Sequence, residues 1–308
     1  MVRAPAALSV PGDAIAGAAA AGRLGPRTAG LAAASVCLYW AGMAANDWAD
    51  RDLDARERPE RPIPSGRISP RQALGVAAGL TAAGVGLAAL AGGRRAAVVA
   101  VPLAGTIWAY DVWAKNTAAG PPVMAACRGL DVLLGAGSDR IGSAAPAALT
   151  IAAHTATVTA LSRREVSGGD SALPAATLAG TVALAALASG RRAGAFPAMA
   201  SGRRAGAFPA VANGRRAGVP PGEVASVWGG GVSTALAAWY AVWYGKAQAR
   251  AVADPSATRI RAAVGAGITG LPPLQGALTA GAGAPVTGLI LAAAAPLARR
   301  LTRWVSAT

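Results

Sequence analysis

Long apolar stretches alternate with short charged patches along the whole chain. A hydrocarbon core of about 30 Å requires roughly 20 apolar residues per helical span, and the stretches have about that length. A membrane barrel would instead need segments of about ten residues with alternating polarity, whereas these stretches are continuous runs of Ala, Leu, Val and Gly. The pattern predicts an all-α, polytopic bundle with spans at residues 5–22, 28–46, 71–91, 96–113, 118–137, 143–161, 171–188, 223–245, 258–280 and 284–303.

Composition supports the same environment. Of 308 residues, 54% are hydrophobic and 14% are charged, which is too apolar for an ordinary soluble domain. The formal charge of +15 would suggest nucleic acid in a soluble protein, but arginines of membrane proteins collect in loops and meet anionic lipid. We therefore expect the lipid bilayer as a partner, and no nucleic acid. Cys37 and Cys127 lie in separate apolar stretches and suggest neither a disulfide nor a metal site.

Ten spans also predict an orientation. They place the charged linkers 46–71 and 246–261 at one end of the bundle, together with the turns at Lys115 and at Arg163 and Arg164. We call this end the motif end. Because it carries the larger share of the Lys and Arg residues, the positive-inside rule predicts that it faces the cytoplasm from the cell membrane.

One segment is repetitive. The twelve residues 189–200 are followed by a near copy at 201–212 and by a shortened third copy that begins at Asn213. Repeats this short, rich in Gly, Ala and Pro, cannot build a core. Residues 189–222 are therefore interpreted as a basic loop, expanded by duplication, within a single membrane domain that covers residues 1–308. A basic surface that contacts lipid or a partner is the alternative.

The clearest candidate for chemistry lies where the second span ends, in the run Asn46-Asp47-Trp48-Ala49-Asp50-Arg51-Asp52-Leu53-Asp54. On a helix, residues four apart lie on the same face, so Asn46, Asp50 and Asp54 are predicted to line one face. Oxygen ligands at a membrane surface suit Mg²⁺, which commonly completes its shell with water and substrate phosphates. The alternative is a solvated linker in which Asp and Arg alternate.

The residues that follow extend this motif. Asn46 to Ser69, which includes the loop Arg58-Pro-Glu-Arg-Pro-Ile-Pro-Ser-Gly-Arg-Ile-Ser69, resembles the first signature of the UbiA superfamily of intramembrane prenyltransferases. The resemblance continues at Tyr110-x-x-x-x-Lys115 and at Cys127-Arg-Gly-Leu-Asp131. Within the superfamily the chain is most similar to the EboC-like branch, judged from residues 162–169 and 261–275.

The resemblance implies a fold, a cofactor and roles for residues. It implies nine core helices around a central cavity, with a tenth C-terminal span in this chain. It implies Mg²⁺ on an allylic prenyl diphosphate, with Asn46, Asp50 and Asp54 as the first metal-binding set. Lys115, Arg128 and Tyr110 become candidates for binding diphosphate oxygens, where fixed cations would stabilise the charge on the leaving group.

The second acidic motif of the family usually has two carboxylates four residues apart. Here Glu165 and Asp170 are five apart, so they share a helical face only if Gly168 and Gly169 break the helix. Our preferred interpretation is that Glu165 alone completes the metal site while Arg163 or Arg164 contacts diphosphate. The alternative is a weak or absent second metal.

Three further features have modest interpretations. His154, in the sixth apolar run, is expected to be a hydrogen-bonded structural residue. Asp131 is either an ion-pair partner of Arg128 or a substrate contact. The aromatic cluster 239–244, which contains two Trp and two Tyr residues, is interpreted as an interfacial belt, and a cavity wall that stabilises an allylic cation is the alternative.

These expectations combine into a function. The leading hypothesis is Mg²⁺-dependent transfer of an isoprenyl group from a prenyl diphosphate to a small acceptor, for which the sequence offers no signature. A terpene cyclase on the same scaffold is the second hypothesis. A non-catalytic membrane or lipid-binding component is the third, and it ranks last because the first acidic motif is complete.

Overall fold

A computed structural model describes residues 9–190 and 221–305, and the side chains of residues 9–190 and 228–296. The described residues form ten α-helices and no strand: α1 Val10–Ala20, α2 Pro26–Ala49, α3 Arg51–Glu57, α4 Pro70–Val112, α5 Gly120–Ala136, α6 Ile141–Ser162, α7 Ala172–Ala188, α8 Pro221–Ala253, α9 Ala257–Gly281 and α10 Pro285–Val305. The prediction of an all-α bundle is confirmed. Residues 191–220 of the repetitive loop lie outside the described residues.

The third and fourth predicted spans form the two halves of α4, a segment of 43 residues that is interrupted by the non-helical Gly93. A straight helix of this length would measure about 65 Å, about twice the hydrocarbon thickness of a bilayer. Gly93 resolves the mismatch because its φ of 67° and ψ of −161° kink the helix between the two spans. Ser69 caps the start of α4, where its hydroxyl accepts from the Gln72 backbone N–H at 3.2 Å.

Several helices are suited to the membrane. By length and composition, the stretches Pro26–Ala49, Pro70–Val112 and Ser138–Ser162 could each cross a bilayer, and Ala172–Ala188 and Pro285–Pro296 are shorter apolar helices. The chain is a multi-pass membrane protein.

The helices pack in two groups. One buried cluster joins α2, α4 and α5, with Leu38, Leu103 and Leu134 at its centre. A larger cluster contains residues of every helix from α5 through α10, and Tyr240 and Tyr244 are fully buried within it. Helix α1 lies against α5, α2 and α9, so it connects the two groups.

Small residues allow α1 and α5 to touch. A Cβ on Gly17 would overlap the Val132 carbonyl, and a Cβ on Gly135 would overlap the Ala14 carbonyl. Glycine at these positions lets the two backbones approach closely, as in other membrane helix pairs. The contact fixes α1 beside the C-terminal half of α5, and Val10 at the start of α1 forms part of the wall of a central cavity.

Candidate functional site

Three of the predicted site residues meet at the motif end. Asn46 and Asp50 lie one turn apart at the end of α2, and Lys115 lies in a short 3₁₀ turn after α4. The Lys115 Nζ is 2.7 Å from Asp50 Oδ1 and donates to Asn46 Oδ1 at 2.9 Å. The Asn46 Nδ2 donates to Asp50 Oδ2 at 3.2 Å. This group, which we call the Asp50 group, thus consists of a cation between an amide and a carboxylate.

Asp54 lies outside the Asp50 group. Helix α2 ends at Ala49 and α3 begins at Arg51, so the helix is interrupted at Asp50. Asp54 is almost fully buried and accepts from Arg61 Nη1 at 2.7 Å. The same Arg61 atom lies 3.8 Å from Asp47 Oδ1. Asp54 therefore pairs with the loop that follows the motif, and the interrupted helix separates its contacts from those of Asp50.

A central cavity of about 400 Å³ opens beside the Asp50 group. We call it the main cavity. Most of its lining is apolar, and its polar side chains gather at the two ends. It is lined by Ser9, Val10, Tyr39, Gly42, Met43, Asn46, Asp47, Ile107, Tyr110, Asp111, Met124, Cys127, Arg128 and Ile268. Tyr110 and Arg128, both predicted from the sequence, therefore face the same space as Asn46.

Asp111 is a residue of this cavity that the sequence interpretation missed. Its Oδ2 would lie 2.7 Å from a Cβ at position 42, so Gly42 allows the carboxyl to reach the surface of α2. Asp111 is in electrostatic range of Lys115, Asp50 and Asp47, and it makes no hydrogen bond or ion pair in the described part of the chain. The sequence signal that could have identified Asp111 is its position next to Tyr110 and one helical turn before Lys115.

The inner end of the main cavity is polar because of a buried ion pair. Arg128 Nε lies 2.7 Å from Asp13 Oδ2, and the Asp13 side chain is fully buried. Gln275 Nε2 donates to Asp13 Oδ1 at 2.6 Å, and Arg128 donates to the Ser9 carbonyl at 3.3 Å. These contacts tie α1, α5 and α9 together. Asp13 and Gln275 were not recognised from the sequence.

Of the two interpretations left open for Asp131, the ion pair with Arg128 does not form. Asp131 instead accepts from the Ser35 hydroxyl, whose Oγ is 2.6 Å from both carboxylate oxygens. The reason is the tight packing of α1 on α5, which brings Asp13 to the guanidinium. A buried charge requires such a partner because isolated burial is costly.

The second acidic segment is arranged differently from the first. Helix α6 ends at Ser162, and Gly168 adopts a φ of 69°, so residues 163–167 form turns. Arg163 donates to the backbone carbonyls of Lys115, at 3.3 Å, and of Thr117, and so braces the turn that carries Lys115. Arg164 is exposed.

The two acids of this segment have local partners. Arg261 donates to the Glu165 carbonyl at 3.1 Å. Partial burial raises the pKa of the Glu165 carboxyl, and the Arg261 charge opposes that shift. Asp170 Oδ1 accepts from the Ala172 backbone N–H at 3.0 Å at the start of α7. Neither acid lines the main cavity.

The residues at the motif end fit Mg²⁺ by the chemistry of their donors. The side chains of the predicted metal set offer carboxylate or amide oxygens, which Mg²⁺ prefers. These side chains are Asn46, Asp50, Asp54 and Glu165. Within residues 9–190 and 228–296, however, no three acidic, His or Cys side chains are close enough to hold a metal by themselves. A Mg²⁺ ion held by one or two carboxylates, with substrate phosphates and waters, is compatible with Asn46 and Asp50.

A smaller cavity of about 260 Å³ adjoins the main cavity at Ser9, Tyr110 and Arg128. His154 lines it and is fully buried, with Nδ1 2.9 Å from the Tyr240 hydroxyl. The expectation of a hydrogen-bonded His154 is confirmed.

The interpretation of the aromatic cluster as an interfacial belt is wrong for both tyrosines. Tyr240 and Tyr244 are fully buried, and both stack edge-on with His154. Trp239 is 40% exposed. The tyrosines are buried and Trp239 is exposed because α8 turns one face towards the core and another outwards.

Comparisons with known proteins agree with this architecture. The model of the UbiA prenyltransferase family matches residues 10–165. Over 79 residues the chain is 49% identical to digeranylgeranylglyceryl phosphate synthase of Methanopyrus kandleri, a match covering 26% of this chain and 28% of that protein. Over 107 residues it is 39% identical to protoheme IX farnesyltransferase of Gluconacetobacter diazotrophicus, covering 32% and 33% of the two chains. The matched segments thus span about a third or less of these curated relatives.

Solved structures extend the likeness to nearly the whole chain. A structure from work on digeranylgeranylglyceryl phosphate synthase in membranes has a TM-score of 0.59 at 16% identity, over 89% of this chain and 92% of that one. A UbiA homologue from Aeropyrum pernix K1 has a TM-score of 0.56 at 18% identity, over 94% and 99% of the two chains. Identities this low support the fold alone. The family model nevertheless covers half of the chain, including the Asp50 group and most of the main cavity, so the chain belongs to the UbiA prenyltransferase family.

Proposed function

We propose that the protein transfers an isoprenyl group from an allylic prenyl diphosphate to a small acceptor and releases pyrophosphate. The observation that carries the proposal is the Asp50 group at the mouth of a largely apolar cavity of about 400 Å³. Such a cavity suits a hydrocarbon tail, and the charged group suits a diphosphate. The names of the curated relatives, which include a synthase and a farnesyltransferase, support the same class of reaction.

In the proposed complex, Asn46 and Asp50 would hold Mg²⁺, which would supply positive charge to the diphosphate oxygens. Asp54 is held by Arg61 outside the Asp50 group, and its place in the metal set stays a prediction. The placement of Glu165 in the metal set stays a prediction. Lys115 exchanges its contact with Asp50 for the diphosphate, whose negative charge grows as the carbon–oxygen bond breaks.

Other residues have supporting roles in the proposal. Tyr110 lies at the junction of the two cavities and is a candidate donor to the diphosphate. Arg163 braces the Lys115 turn, and Arg164 is free to approach the diphosphate from the exposed side. Arg128, a predicted ligand of the diphosphate oxygens, lies at the inner end of the main cavity, where Asp13 balances its charge.

The chemistry requires that water be kept from the allylic cation. The bond to the diphosphate breaks with its electron pair on oxygen, and the acceptor then forms the new bond to carbon and loses a proton. Apolar side chains such as Ile107, Met124 and Ile268 line the intervening space and exclude water from it. The donor tail is therefore placed in the main cavity, with its diphosphate at the Asp50 group.

We also propose that the motif end faces the cytoplasm. The larger share of Lys and Arg residues at this end supports the orientation by the positive-inside rule. The substitution Asp52→Cys, at an exposed position of this end, tests it in intact cells when Cys37 and Cys127 are replaced by Ala. A thiol reagent that does not cross the membrane should label this variant only after lysis, and labelling of intact cells would overturn the orientation.

The function is tested with the purified full chain in detergent. The protein is incubated with Mg²⁺ and a panel of prenyl diphosphates, with and without a small-molecule cell extract, and pyrophosphate and products are measured by mass spectrometry. We expect pyrophosphate release that depends on Mg²⁺, on Asp50 and on the extract. If pyrophosphate were released without extract and a cyclic hydrocarbon were formed as the product, the function would be that of a terpene cyclase and not of a transferase. No release under any condition would overturn both enzymatic functions.

A further inference from the structure

A third cavity, of about 280 Å³, lies at the end of the bundle opposite the Asp50 group. The loop before α2, the kink of α4 and the end of α5 form it. Three arginines line it, Arg23, Arg27 and Arg95, above a floor that includes Leu31, Ala96 and Leu134. We call it the arginine cavity. Because α2 has 24 residues, about 36 Å of helix separates it from the motif end.

The charges of this cavity are not balanced within the described part of the chain. Arg23 makes a two-pronged contact with Asp139, at 2.7 and 2.6 Å, and Arg95 lies 3.2 Å from the same carboxylate. Arg27 is exposed and makes no hydrogen bond or ion pair with a described residue. Three guanidinium groups therefore share one carboxylate, which leaves an excess of two positive charges around the opening.

The backbone and Asp139 hold Arg23 and Arg95 in place. The left-handed conformation of Gly93 kinks α4 just before Arg95. Gly137, with a φ of 81°, ends α5 beside both Arg23 and Arg95. Arg23 also donates to the Ala136 carbonyl at 3.0 Å. Asp139 thus fixes two of the arginines, and the start of α2 adds the positive end of a long helix dipole beside Arg27.

The surroundings of the cavity are apolar, which indicates the source of the anion. Leu24 lines the opening and is 38% exposed, and Leu90, one residue before the lining, is 86% exposed. The floor belongs to the buried cluster of α2, α4 and α5. A free phosphate ion would gain nothing from these side chains, whereas the acyl chains of a lipid would cover them.

We propose that the arginine cavity binds the headgroup phosphate of an anionic phospholipid from the adjacent leaflet. Guanidinium groups bind phosphate oxygens in pairs, so the phosphate would bridge Arg27 on α2 and Arg95 on α4. The lipid would thereby hold the two helices together at the end remote from the Asp50 group. The proposal concerns stability and lipid preference, and it is independent of the proposed function.

The test compares lipid nanodiscs of phosphatidylcholine alone with nanodiscs that also contain phosphatidylglycerol. For the full-length protein, phosphatidylglycerol should raise the Tm by about 3 °C, the size expected for a binding energy of about 1 kcal/mol in a chain of this size. Native mass spectrometry should show one retained phosphatidylglycerol. The double variant R27A/R95A should lose both the shift and the retained lipid.

Controls separate the site from general charge effects. The variant R56A/R71A removes the same charge from exposed positions at the motif end and should keep the full shift. The single variant R27A leaves both contacts of Asp139 intact, so it should fold normally and still lose about half of the shift, since one of two phosphate-binding arginines remains. An undiminished shift in R27A and R27A/R95A would overturn the proposal. An equal shift caused by inorganic phosphate in phosphatidylcholine discs would overturn the assignment to lipid.

Discussion

The two acidic segments at the motif end both follow the end of a helix, but their surroundings differ. In the first, Asp50 is held by Lys115 beside a deep cavity, and Asp54 is held by Arg61. In the second, Glu165 lies in a turn near Arg261, and Asp170 accepts from the Ala172 backbone N–H at the start of α7. The first segment lies beside the main cavity, whereas neither acid of the second, which connects α6 to α7, lines that cavity.

This difference shows what makes an acidic residue a candidate for chemistry. Asp50 has a cation partner and an amide neighbour within hydrogen-bond distance, and it lies beside a cavity able to take an apolar tail. Asp170 has a backbone N–H as its partner and faces solvent. The spacing of the acids differs between the two segments, but spacing alone does not show which carboxylate lies beside a cavity.

The largest effect is expected for Asp50→Ala. It removes the carboxylate of the Asp50 group, and loss of a metal-binding carboxylate should lower the rate of pyrophosphate release by at least about 10³-fold, or roughly 4 kcal/mol. The measurement is Mg²⁺-dependent pyrophosphate release with a prenyl diphosphate. Asp52→Ala is the matched control, because the Asp52 side chain is 79% exposed in the same segment, and it should stay within about twofold of the wild type. Equal losses in both variants would contradict the proposal.

Lys115→Met should have the next largest effect. Removal of one fixed donor to a developing negative charge typically costs about 10²-fold in kcat. Lys246→Met is the matched control, since Lys246 is the other lysine of the chain and lies on α8, outside the main cavity. If Lys115→Met changed KM for the diphosphate alone, Lys115 would serve in binding and not in stabilising the transition state.

Asp111→Asn should reduce the rate of pyrophosphate release by about tenfold, since a charge in electrostatic range of Lys115 and Asp50 would be lost at little change in volume. The same assay with varied Mg²⁺ measures it. A rate like that of the wild type would mean that the Asp111 carboxylate only packs against Gly42. Gly42→Ala gives a second measure, because its Cβ would displace the carboxyl without removing the charge.

The smallest effects are expected at the second segment. Glu165→Gln and Asp170→Asn should each change pyrophosphate release by less than about threefold, because neither carboxylate lines the main cavity. The concentration of Mg²⁺ that gives half the maximal rate should also stay unchanged. A loss for Glu165→Gln comparable with that for Asp50→Ala would return Glu165 to the metal set, as the sequence interpretation prefers.

Much of the helix arrangement could be predicted from the sequence because bilayer thickness fixes the length of an apolar span. The boundaries of α5, for example, differ by only one or two residues from the predicted span 118–137. The two spans within α4 also agree with the prediction, because the non-helical Gly93 lies between the predicted spans 71–91 and 96–113. Local spacing predicted that Asn46 and Asp50 share a face, and the resemblance added Lys115.

The contacts between distant segments could not be predicted in this way. Asp13 and Gln275 are 262 residues apart, and no local pattern indicates that they meet. The sequence suggests Asp131 as one possible partner of Arg128, but the acid nearest in the sequence is not the nearest in space, and Asp13 takes that place. The tyrosines of α8 were placed at the membrane surface because helical position alone does not reveal which face packs inwards.

The sequence by itself determined the membrane environment, the helical fold and the family, together with the Asn46 to Asp54 motif. These features depend on composition, on the periodicity of one helix and on a continuous run of residues. Only the tertiary structure decided which charges pair: Lys115 with Asp50, Arg61 with Asp54 and Arg128 with Asp13. The physical reason is that a buried or half-buried charge takes the partner that helix packing brings within reach, and packing depends on residues throughout the chain.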